Sequence, residues 1–443
     1  MLFTIKIYEE PIIGFPRKIE SPTLGVVKPR ETIRRHICRF CGNPLTHSLV
    51  DLGMSPLCES YLTEKQQAEE ELFYPLDVKV CDKCYLVQLD QYVSPEHIFT
   101  EYAYFSSFSD SWLKHASDYA DMMVDRFGLG TDSFVVELGS NDGYLLKNFV
   151  AKNIPCLGVE PAKNVAKAAK KIGVPTRVKF FDSVVARKMA AKGKHADLII
   201  GKNVLAQVPG LNDFVEGIKI LLKPDGVVTI EFPHLMSLME QNQYDTIYHE
   251  HFCYFSYLTI EKIFTAHGLA LFDVEELSSH GGSLRIFAGH AEDGSKPVSN
   301  RISQLREKEL AAGYADMDTY TRFGHQVEES KRALLSFLIQ AKRERKTVVG
   351  YGAPGKGNTL LNYCGIRKDF LDFTVDRSPY KQGKALPGTH IPIYPVEKID
   401  EVRPDYVLIL PWNLKEEIME QMARIRDWGG KFVIPIPTTT VID

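Results

Sequence analysis

The segment FVVELGSNDGYLL, residues 134–146, decides the fold of the central part of the chain. Its apolar start predicts a buried strand, Gly139 and Gly143 mark a turn, and its end predicts a helix. Glycines allow a backbone to approach a ligand closely, and the first turn of a helix offers free N–H groups. The pattern ExGxxxG, which begins at Glu137, differs from the GxGxxG dinucleotide fingerprint. The segment therefore predicts a ligand site at the end of a strand.

The same rhythm continues on the C-terminal side of this segment. Further strands are predicted in PCLGVE (155–160), ADLIIGKN (196–203) and GVVTIEF (226–232). Helices are predicted between them, in PAKNVAKAAKKIG (161–173) and LNDFVEGIKILLK (211–223). Strands that alternate with helices indicate a parallel, doubly wound sheet, and hence an α/β fold.

The turn resembles the first motif of the Rossmann-like methyltransferases that use S-adenosylmethionine (SAM). Glu160 ends the next strand, where an acid can accept hydrogen bonds from both ribose hydroxyls. Asn141 lies in the turn, and Asn203 ends a later strand near the expected methionine end of SAM. The alternatives are an NAD site or a turn that binds nothing.

Two CxxC pairs, Cys38/Cys41 and Cys81/Cys84, predict a metal site. Four thiolates form a closed tetrahedral set that suits structural Zn2+. The intervening segment, residues 42–80, is longer than the roughly 15–20 residues of common sites and must hold structure of its own. Unrelated thiols or one redox pair are the alternatives.

The run YDTIYHEHF, residues 244–252, follows a strand's carboxyl end, where α/β sheets place their ligand crevice. A histidine can accept a proton near neutral pH, and a neighbouring glutamate can orient it. His249, Glu250, His251 and Tyr248 are therefore candidates for a reactive cluster. A solvated loop or a His–Glu pair that only satisfies its own hydrogen bonds is the alternative. A second metal site is disfavoured because HEH lacks the HExxH spacing.

Other candidates lie outside this run. Tyr102 and Tyr104 could close the pocket or simply pack between domains. Gly281 and Gly282 form a turn before the strand SLRIFAGH, which could approach a ligand or connect a hairpin.

A second, smaller α/β unit begins at TVVGYGAP, residues 347–354, after a charged, helix-rich segment at 301–345. Its Gly-rich turn contains Gly352, Lys356 and Asn358. Backbone amides and Lys356 could hold a phosphate there, although the GxxxxGK[ST] pattern is absent. A purely structural turn is the alternative.

Composition limits the class of protein. The net charge of −4 and the lack of a basic stripe disfavour a nucleic-acid substrate. No apolar run approaches the roughly 18 residues of a membrane span, and the N-terminus lacks the order of a secretory signal. The sequence predicts a cytoplasmic protein without nucleic-acid or membrane partners, and it does not fix an oligomeric state.

Taken together, the ordered motifs resemble the three-domain nucleotide-sugar C-methyltransferases that make branched-chain deoxysugars. The resemblance covers nearly everything from Cys38 onward. It is carried by the paired CxxC units and by EYAYFSS (101–107), ELGSNDG (137–143), IEFPH (230–234), YHEHF (248–252), HGGSLR (280–285) and GYGAPGKGN (350–358).

The resemblance implies a zinc domain, a central SAM domain and a C-terminal Rossmann-like domain that helps to bind the nucleotide sugar. The predicted boundaries are a 1–37 extension, a 38–100 zinc-binding domain, a 101–300 methyltransferase domain with a helical linker, and a 301–443 connector with the C-terminal domain.

The resemblance also implies methylation of carbon next to a ketone, typically C3 of a 4-keto-6-deoxyhexose on a nucleoside diphosphate. His251 would be the general base, with Tyr248 and Glu250 positioning it and the sugar, and Tyr102 or Tyr104 would be a pocket tyrosine. The family often has a histidine where this chain has Gln207, which cannot titrate and therefore argues against an acid/base role there. An O- or N-methyltransferase and a non-enzymatic zinc- and nucleotide-binding protein are the competing functions.

Overall fold

The computed structural model describes residues 36–99, 106–108 and 110–443. The strands are β1 (His47–Ser55), β2 (Tyr74–Val80), β3 (Val87–Leu89), β4 (Val135–Leu138), β5 (Cys156–Glu160), β6 (Thr176–Val178), β7 (Ala196–Lys202), β8 (Leu222–Pro233), β9 (Cys253–Tyr254), β10 (Leu269–Leu277), β11 (Ser283–His290), β12 (Val348–Tyr351), β13 (Thr374–Val375), β14 (Ile393–Tyr394), β15 (Tyr406–Ile409), β16 (Lys431–Ile434) and β17 (Thr440–Ile442).

The helices connect and flank these strands. They are α1 (Pro95–Phe99), α2 (Asp110–Phe127), α3 (Leu146–Ala151), α4 (Lys163–Lys171), α5 (Ser183–Ala190), α6 (Leu211–Leu221), α7 (Leu235–Glu240), α8 (Tyr257–Ala266), α9 (Asn300–Ala311), α10 (Met317–Thr321), α11 (Phe323–Arg343), α12 (Gly355–Cys364), α13 (Lys398–Val402) and α14 (Lys415–Gln421). None of these helices in the described ranges has both the length and the apolar character needed to cross a membrane.

The central sheet has seven strands in the order β10-β11-β8-β7-β4-β5-β6. The pairs that join β8, β7, β4, β5 and β6 are parallel, as the alternation of strands and helices predicts. Every residue of β4 is buried, because helices cover both faces of a parallel sheet. The strand order reverses beside β4, so the turn that follows β4 opens into a crevice at the edge of the sheet.

The hairpin of β10 and β11 adds an antiparallel extension to this sheet. The turn between the two strands contains Gly281 and Gly282, in agreement with the hairpin interpretation of this sequence. Since β11 pairs with β8, this turn lies beside the end of β8, from which the 244–252 loop departs after α7.

The N-terminal module, residues 36–99, forms a second sheet in the order β1-β2-β3-β9. Its fourth strand, Cys253–Tyr254, comes from the central part of the chain and follows the 244–252 loop directly. Pairing of Val87 with Tyr254 and of Gln88 with Cys253 joins that loop to the module. No residue pattern indicated this shared strand.

The C-terminal unit, residues 346–443, contains a six-stranded sheet in the order β14-β13-β12-β15-β16-β17. Only the β16–β17 pair is antiparallel. This arrangement agrees with the second α/β unit predicted from the sequence. Helices α9, α10 and α11 form the charged, helical connector that precedes it.

Candidate functional site

Four cysteine sulfurs meet in the N-terminal module. The Sγ atoms of Cys38, Cys41, Cys81 and Cys84 all lie within 4.8 Å of one another. The Cys38–Cys84 and Cys41–Cys81 sulfur pairs are each 3.5 Å apart. A tetrahedral zinc ion with Zn–S bonds of 2.3 Å needs sulfur separations of about 3.8 Å, so this donor set fits Zn2+ with little adjustment.

The turn after β4 has the geometry expected of a SAM site. Gly139 and Gly143 have φ values of +67° and +81°, and Asn141 also has a positive φ. A Cβ on Gly143 would lie 3.0 Å from the Val174 side chain, so both backbone conformation and packing favour glycine there. The turn is therefore built around positions that few other residues can occupy.

Glu160 fixes the shape of this turn. Its Oε2 accepts a hydrogen bond from the Asn141 amide, and its Oε1 accepts one from the Ala162 amide, both at 2.8 Å. Burial raises the pKa of Glu160, although the two amides oppose that change. Each carboxylate oxygen has a second lone pair, so the residue can still accept hydrogen bonds from ribose hydroxyls.

Glu137 is a fully buried carboxyl group beside the turn. Neither of its oxygens has a hydrogen-bond partner among the described residues, and burial raises its pKa well above the ordinary value. Such a group is suited to a cationic ligand group such as the ammonium of SAM, since an unpaired buried carboxylate is costly. The residues present therefore fit the predicted cofactor.

A buried charge network lies under the same crevice. Glu231 pairs with Lys202, Arg285 and His115. Burial opposes ionisation of Glu231, but the charges of Lys202 and Arg285 and the hydrogen bond with His115 hold its pKa below the usual range. Burial lowers the pKa of Lys202 to about 8. Charged residues inside otherwise apolar strands were the sequence signal for this network, and the motif analysis missed it.

The 244–252 loop contains His251 as a neutral imidazole. Its Nδ1 lies 3.1 Å from the Thr246 carbonyl oxygen, so Nδ1 carries the proton and Nε2 is the basic nitrogen. The Tyr248 ring lies 4.2 Å from the His251 ring, measured between centroids. Burial, with smaller contributions from His280 and Lys356, lowers the pKa of His251 to about 4, although the contact with Thr246 opposes this change.

The N-terminal module contacts the other members of the loop. The Cys58 thiol donates to Glu250 over 3.8 Å, and His249 Nε2 donates to the Pro75 carbonyl at 3.1 Å. Phe252, at the end of the loop, accepts a hydrogen bond from the Leu89 amide. The module therefore contacts the loop at three residues, 249, 250 and 252.

The 244–252 loop, the segment that ends and follows β7, and the hairpin turn converge. The Phe252 amide donates to the Ala206 carbonyl at 2.7 Å, which places Gln207 next to the loop. Asn203, at the end of β7, donates from its amide to His280 Nε2 at 2.8 Å. The predicted cofactor end and the predicted base are thereby brought to one crevice.

Trp412 of the C-terminal unit completes this side of the crevice. Its Nε1 donates to Asp245 Oδ2 at 2.7 Å, and Lys356 Nζ lies 4.7 Å from its ring centroid. A Cβ on Gly281 would lie 2.7 Å from the Trp412 ring, so glycine permits this contact. Trp412 was not predicted as a site residue, because nothing in the sequence around Pro411–Asn413 distinguishes it from an aromatic residue of the core.

Three other predicted substrate-binding residues have structural partners in the described chain. Asn358 donates from its amide to the Cys58 carbonyl at 2.6 Å. Gly352 packs against Pro411, where a Cβ would lie 2.6 Å from the proline ring. Gly282 packs in the same way against Ser237, where a Cβ would lie 2.6 Å from Oγ. Tyr102 and Tyr104 fall outside the described residues.

Three family models match successive parts of the chain. Residues 38–99 match the family described as "Putative zinc binding domain", residues 112–274 match "Methyltransferase domain", and residues 278–437 match "C-methyltransferase C-terminal domain". The C-methyltransferase NovU of Streptomyces niveus is 36% identical over 405 residues, which cover 91% of this chain and 96% of the relative. The chain belongs to the C-methyltransferase family of NovU.

As a family member, this C-methyltransferase uses SAM and has a zinc-binding domain. Among solved structures, a SAM-dependent methyltransferase from Clostridium acetobutylicum is 14% identical, with a TM-score of 0.34 over 42% of this chain and 93% of that chain. The magnesium protoporphyrin IX methyltransferase of Synechocystis is 13% identical, with a TM-score of 0.32. The match covers 40% of this chain and 81% of that chain.

Proposed function

We propose that this C-methyltransferase methylates the carbon next to the ketone of a nucleoside-diphosphate-linked keto-deoxysugar. The proposed position is C3 of a 4-keto-6-deoxyhexose, within branched-sugar biosynthesis. The observation that supports the proposal is the neutral imidazole of His251, whose Nδ1 is held by the Thr246 carbonyl and whose pKa is affected by His280, the hydrogen-bond partner of Asn203. A base placed beside the methyl donor is what a carbon acid requires.

The reaction begins with proton removal. The ketone acidifies the neighbouring C–H bond, and His251 Nε2 takes the proton while the C–H electron pair forms the enolate. The His251 Nδ1–H bond to Thr246 fixes the tautomer and keeps Nε2 available as the acceptor. Tyr248, whose ring contacts the imidazole at a tilt of 35°, and Glu250 position the base and the sugar.

When bound, SAM supplies an electrophilic methyl group, which the enolate carbon attacks as the methyl–sulfur bond breaks. Glu137, Gly139, Asn141, Gly143, Glu160 and Asn203 bind the cofactor in this proposal. Holding both reactants in one crevice supplies much of the rate. His249, Gly281, Gly282, Gly352, Lys356 and Asn358 are assigned to the substrate side, and Tyr102 or Tyr104 to the pocket wall.

The domain assignment follows the same scheme. Residues 38–100 bind zinc, residues 101–300 bind SAM, and residues 301–443 help to bind the nucleotide sugar after the 1–37 extension. The cytoplasmic location expected from the sequence is part of this proposal.

The proposal is tested by incubating the zinc-loaded protein with SAM and a panel of 4-keto nucleotide sugars. Mass spectrometry should find a product heavier by one methylene, and NMR should place the new methyl on carbon. His251→Ala should keep affinity for S-adenosylhomocysteine, measured by calorimetry, and lose about 10²- to 10⁴-fold in turnover. A methyl group on oxygen or nitrogen, or full turnover by His251→Ala, would contradict the proposal.

A further inference from the structure

The Gly-rich turn at residues 352–358 already has anionic partners from the chain itself. Asp376 Oδ2 accepts a hydrogen bond from the Ala353 amide at 2.7 Å. Glu59 Oε1 lies 3.2 Å from the position that a Cβ on Gly355, the first residue of α12, would take. Two carboxylates therefore lie beside the start of this helix, where they interact favourably with the positive end of its dipole. A diphosphate at the same turn would meet like charge.

The Lys356 side chain contacts a different set of groups. Its Nζ donates to Asn413 Oδ1 at 2.8 Å and lies over the Trp412 ring. Trp412 in turn donates to Asp245, and the residue after Asp245 is Thr246, whose carbonyl accepts the His251 hydrogen bond. The Lys356 ammonium therefore lies beside the loop that contains the proposed base.

The electrostatics of the crevice agree with this placement. Burial lowers the pKa of His251 and of His280, and the positive charge of Lys356 contributes to both changes. Burial lowers the pKa of Lys356, and the charge of Asp245 opposes that change only in part. Asp245 Oδ1 has no hydrogen-bond partner among the described residues. The carboxylate thus favours the charged form of Lys356.

We propose that Lys356 is a catalytic residue whose ammonium binds the substrate's carbonyl oxygen and stabilises the enolate. This inference rests on the proposed function and specifies the substrate atom that Lys356 contacts, the carbonyl oxygen. As His251 takes the proton, the C–H electron pair forms a C=C bond and the C=O π pair moves onto oxygen, next to the ammonium. The enolate carbon would then form a bond to the methyl group as the methyl–sulfur bond breaks and its electron pair goes to sulfur, the carbonyl would re-form, and the Lys356 ammonium would be unchanged.

We expect a cation beside this oxygen to have a large effect on kcat. Removing one preorganised group that stabilises an oxyanion typically costs about 10²- to 10³-fold in kcat. A lysine that only bound the diphosphate would instead affect substrate affinity, since that contact is the same in the ground state and in the transition state.

The test measures enolate formation separately from methyl transfer. Wild-type protein, S-adenosylhomocysteine and the keto sugar found by the panel are incubated in D2O, and deuterium at the carbon next to the ketone is followed by NMR against an enzyme-free background. We expect Lys356→Met to lose about 10²- to 10³-fold in both exchange and kcat for methyl transfer. KM for the sugar and the calorimetric affinity for a nucleoside diphosphate should change little.

Two further variants keep the test interpretable. Lys356→Arg keeps a cation and should recover part of both rates, even if Lys356→Met folds poorly. Lys331 provides a matched control, since its Nζ also lies over a ring, that of Tyr363, and donates to the Tyr363 carbonyl. Lys331→Met should leave exchange unchanged.

Unchanged exchange and kcat in Lys356→Met would overturn the inference, and so would a loss confined to KM and nucleoside diphosphate affinity. If wild-type protein methylates no keto sugar, the proposed function itself has failed, and this inference fails with it.

Discussion

His251 shows how burial and a single backbone contact can define the state of a residue. The Thr246 carbonyl selects the tautomer, while burial lowers the pKa of the imidazole to about 4. A histidine in water would titrate near 6.5, so the protein keeps this ring neutral over a wider range of acid pH. A neutral ring is the form in which Nε2 can accept a proton.

This pKa leads to a prediction about pH. As pH falls, His251 in the folded chain takes up a proton only near pH 4, so its protonation should lower kcat/KM near pH 4 and not near 6.5. The unfolded chain binds that proton at higher pH, so acid also favours unfolding, and circular dichroism must show that the protein stays folded. The measurement is kcat/KM for methyl transfer between pH 4 and 9.

The control for this profile is Asp245→Asn, because burial raises the pKa of Asp245 to about 7. A decrease near pH 7 that disappears in Asp245→Asn belongs to Asp245. A decrease near pH 6.5 that persists in this variant would mean that His251 titrates normally, contrary to the structure.

Single residues differ in how visible they are in the sequence. Tyr248, Glu250 and His251 are neighbours in the chain, so their sequence pattern alone predicted them as a candidate cluster. Trp412 and Asp245 are 167 residues apart, and their hydrogen bond is created only by the fold. Sequence reasoning finds local constellations and misses pairs of this kind.

At the scale of elements, the strand and turn after β4 depend on a carboxylate from β5. Glu160→Gln replaces one acceptor oxygen by an NH2 group, which would face a backbone amide that now donates to Glu160. Hydrogen bonds to charged groups contribute about 1.5–3 kcal/mol, so we expect affinity for S-adenosylhomocysteine to fall about 10- to 100-fold. Isothermal calorimetry measures this change.

A matched substitution is Asp182→Asn, because Asp182 accepts from the Val185 amide and caps α5 outside the SAM turn. Asparagine also caps helices, so affinity should stay at the wild-type value. Equal affinities for wild type and Glu160→Gln would show that the carboxylate does not shape the turn.

The elements that sequence predicted best are those with a strong local period. Apolar strands such as Val135–Leu138 and the helices that flank them were evident from residue patterns, and so was the strand–turn–helix of the C-terminal unit. The two-residue strand Cys253–Tyr254 was not evident, because its only signal is its partner in β3. Long-range pairing of short strands leaves little trace in composition.

At the scale of the whole molecule, the four-stranded sheet β1-β2-β3-β9 connects the zinc site to the 244–252 loop. Zinc holds the two CxxC segments together, and β3, which follows the second segment, pairs with β9. Loss of the metal should therefore disturb the loop, because binding of structural zinc and folding are coupled.

We predict about one zinc per chain after extensive dialysis of reduced protein. Cys81→Ser with Cys84→Ser should remove the metal, lower Tm and abolish methyl transfer. Binding of S-adenosylhomocysteine should remain, because its turn belongs to the central sheet. Metal analysis, calorimetry and turnover provide the measurements.

Cys156→Ser serves as the control, since this buried thiol is outside the zinc cluster and should leave the zinc content unchanged. Zinc-free protein with wild-type turnover would show that the metal module does not support the loop.

The shared strand also limits how relatives could exchange parts. A chimera that took its first hundred residues from another family member would place foreign β3 next to native β9, and the new edge would have to match at Val87 and Gln88. A mismatch there would displace the histidine two positions before Cys253. Recombination should therefore succeed most often when the 244–254 segment is inherited together with the module it pairs with, even though more than a hundred residues separate the two in the gene.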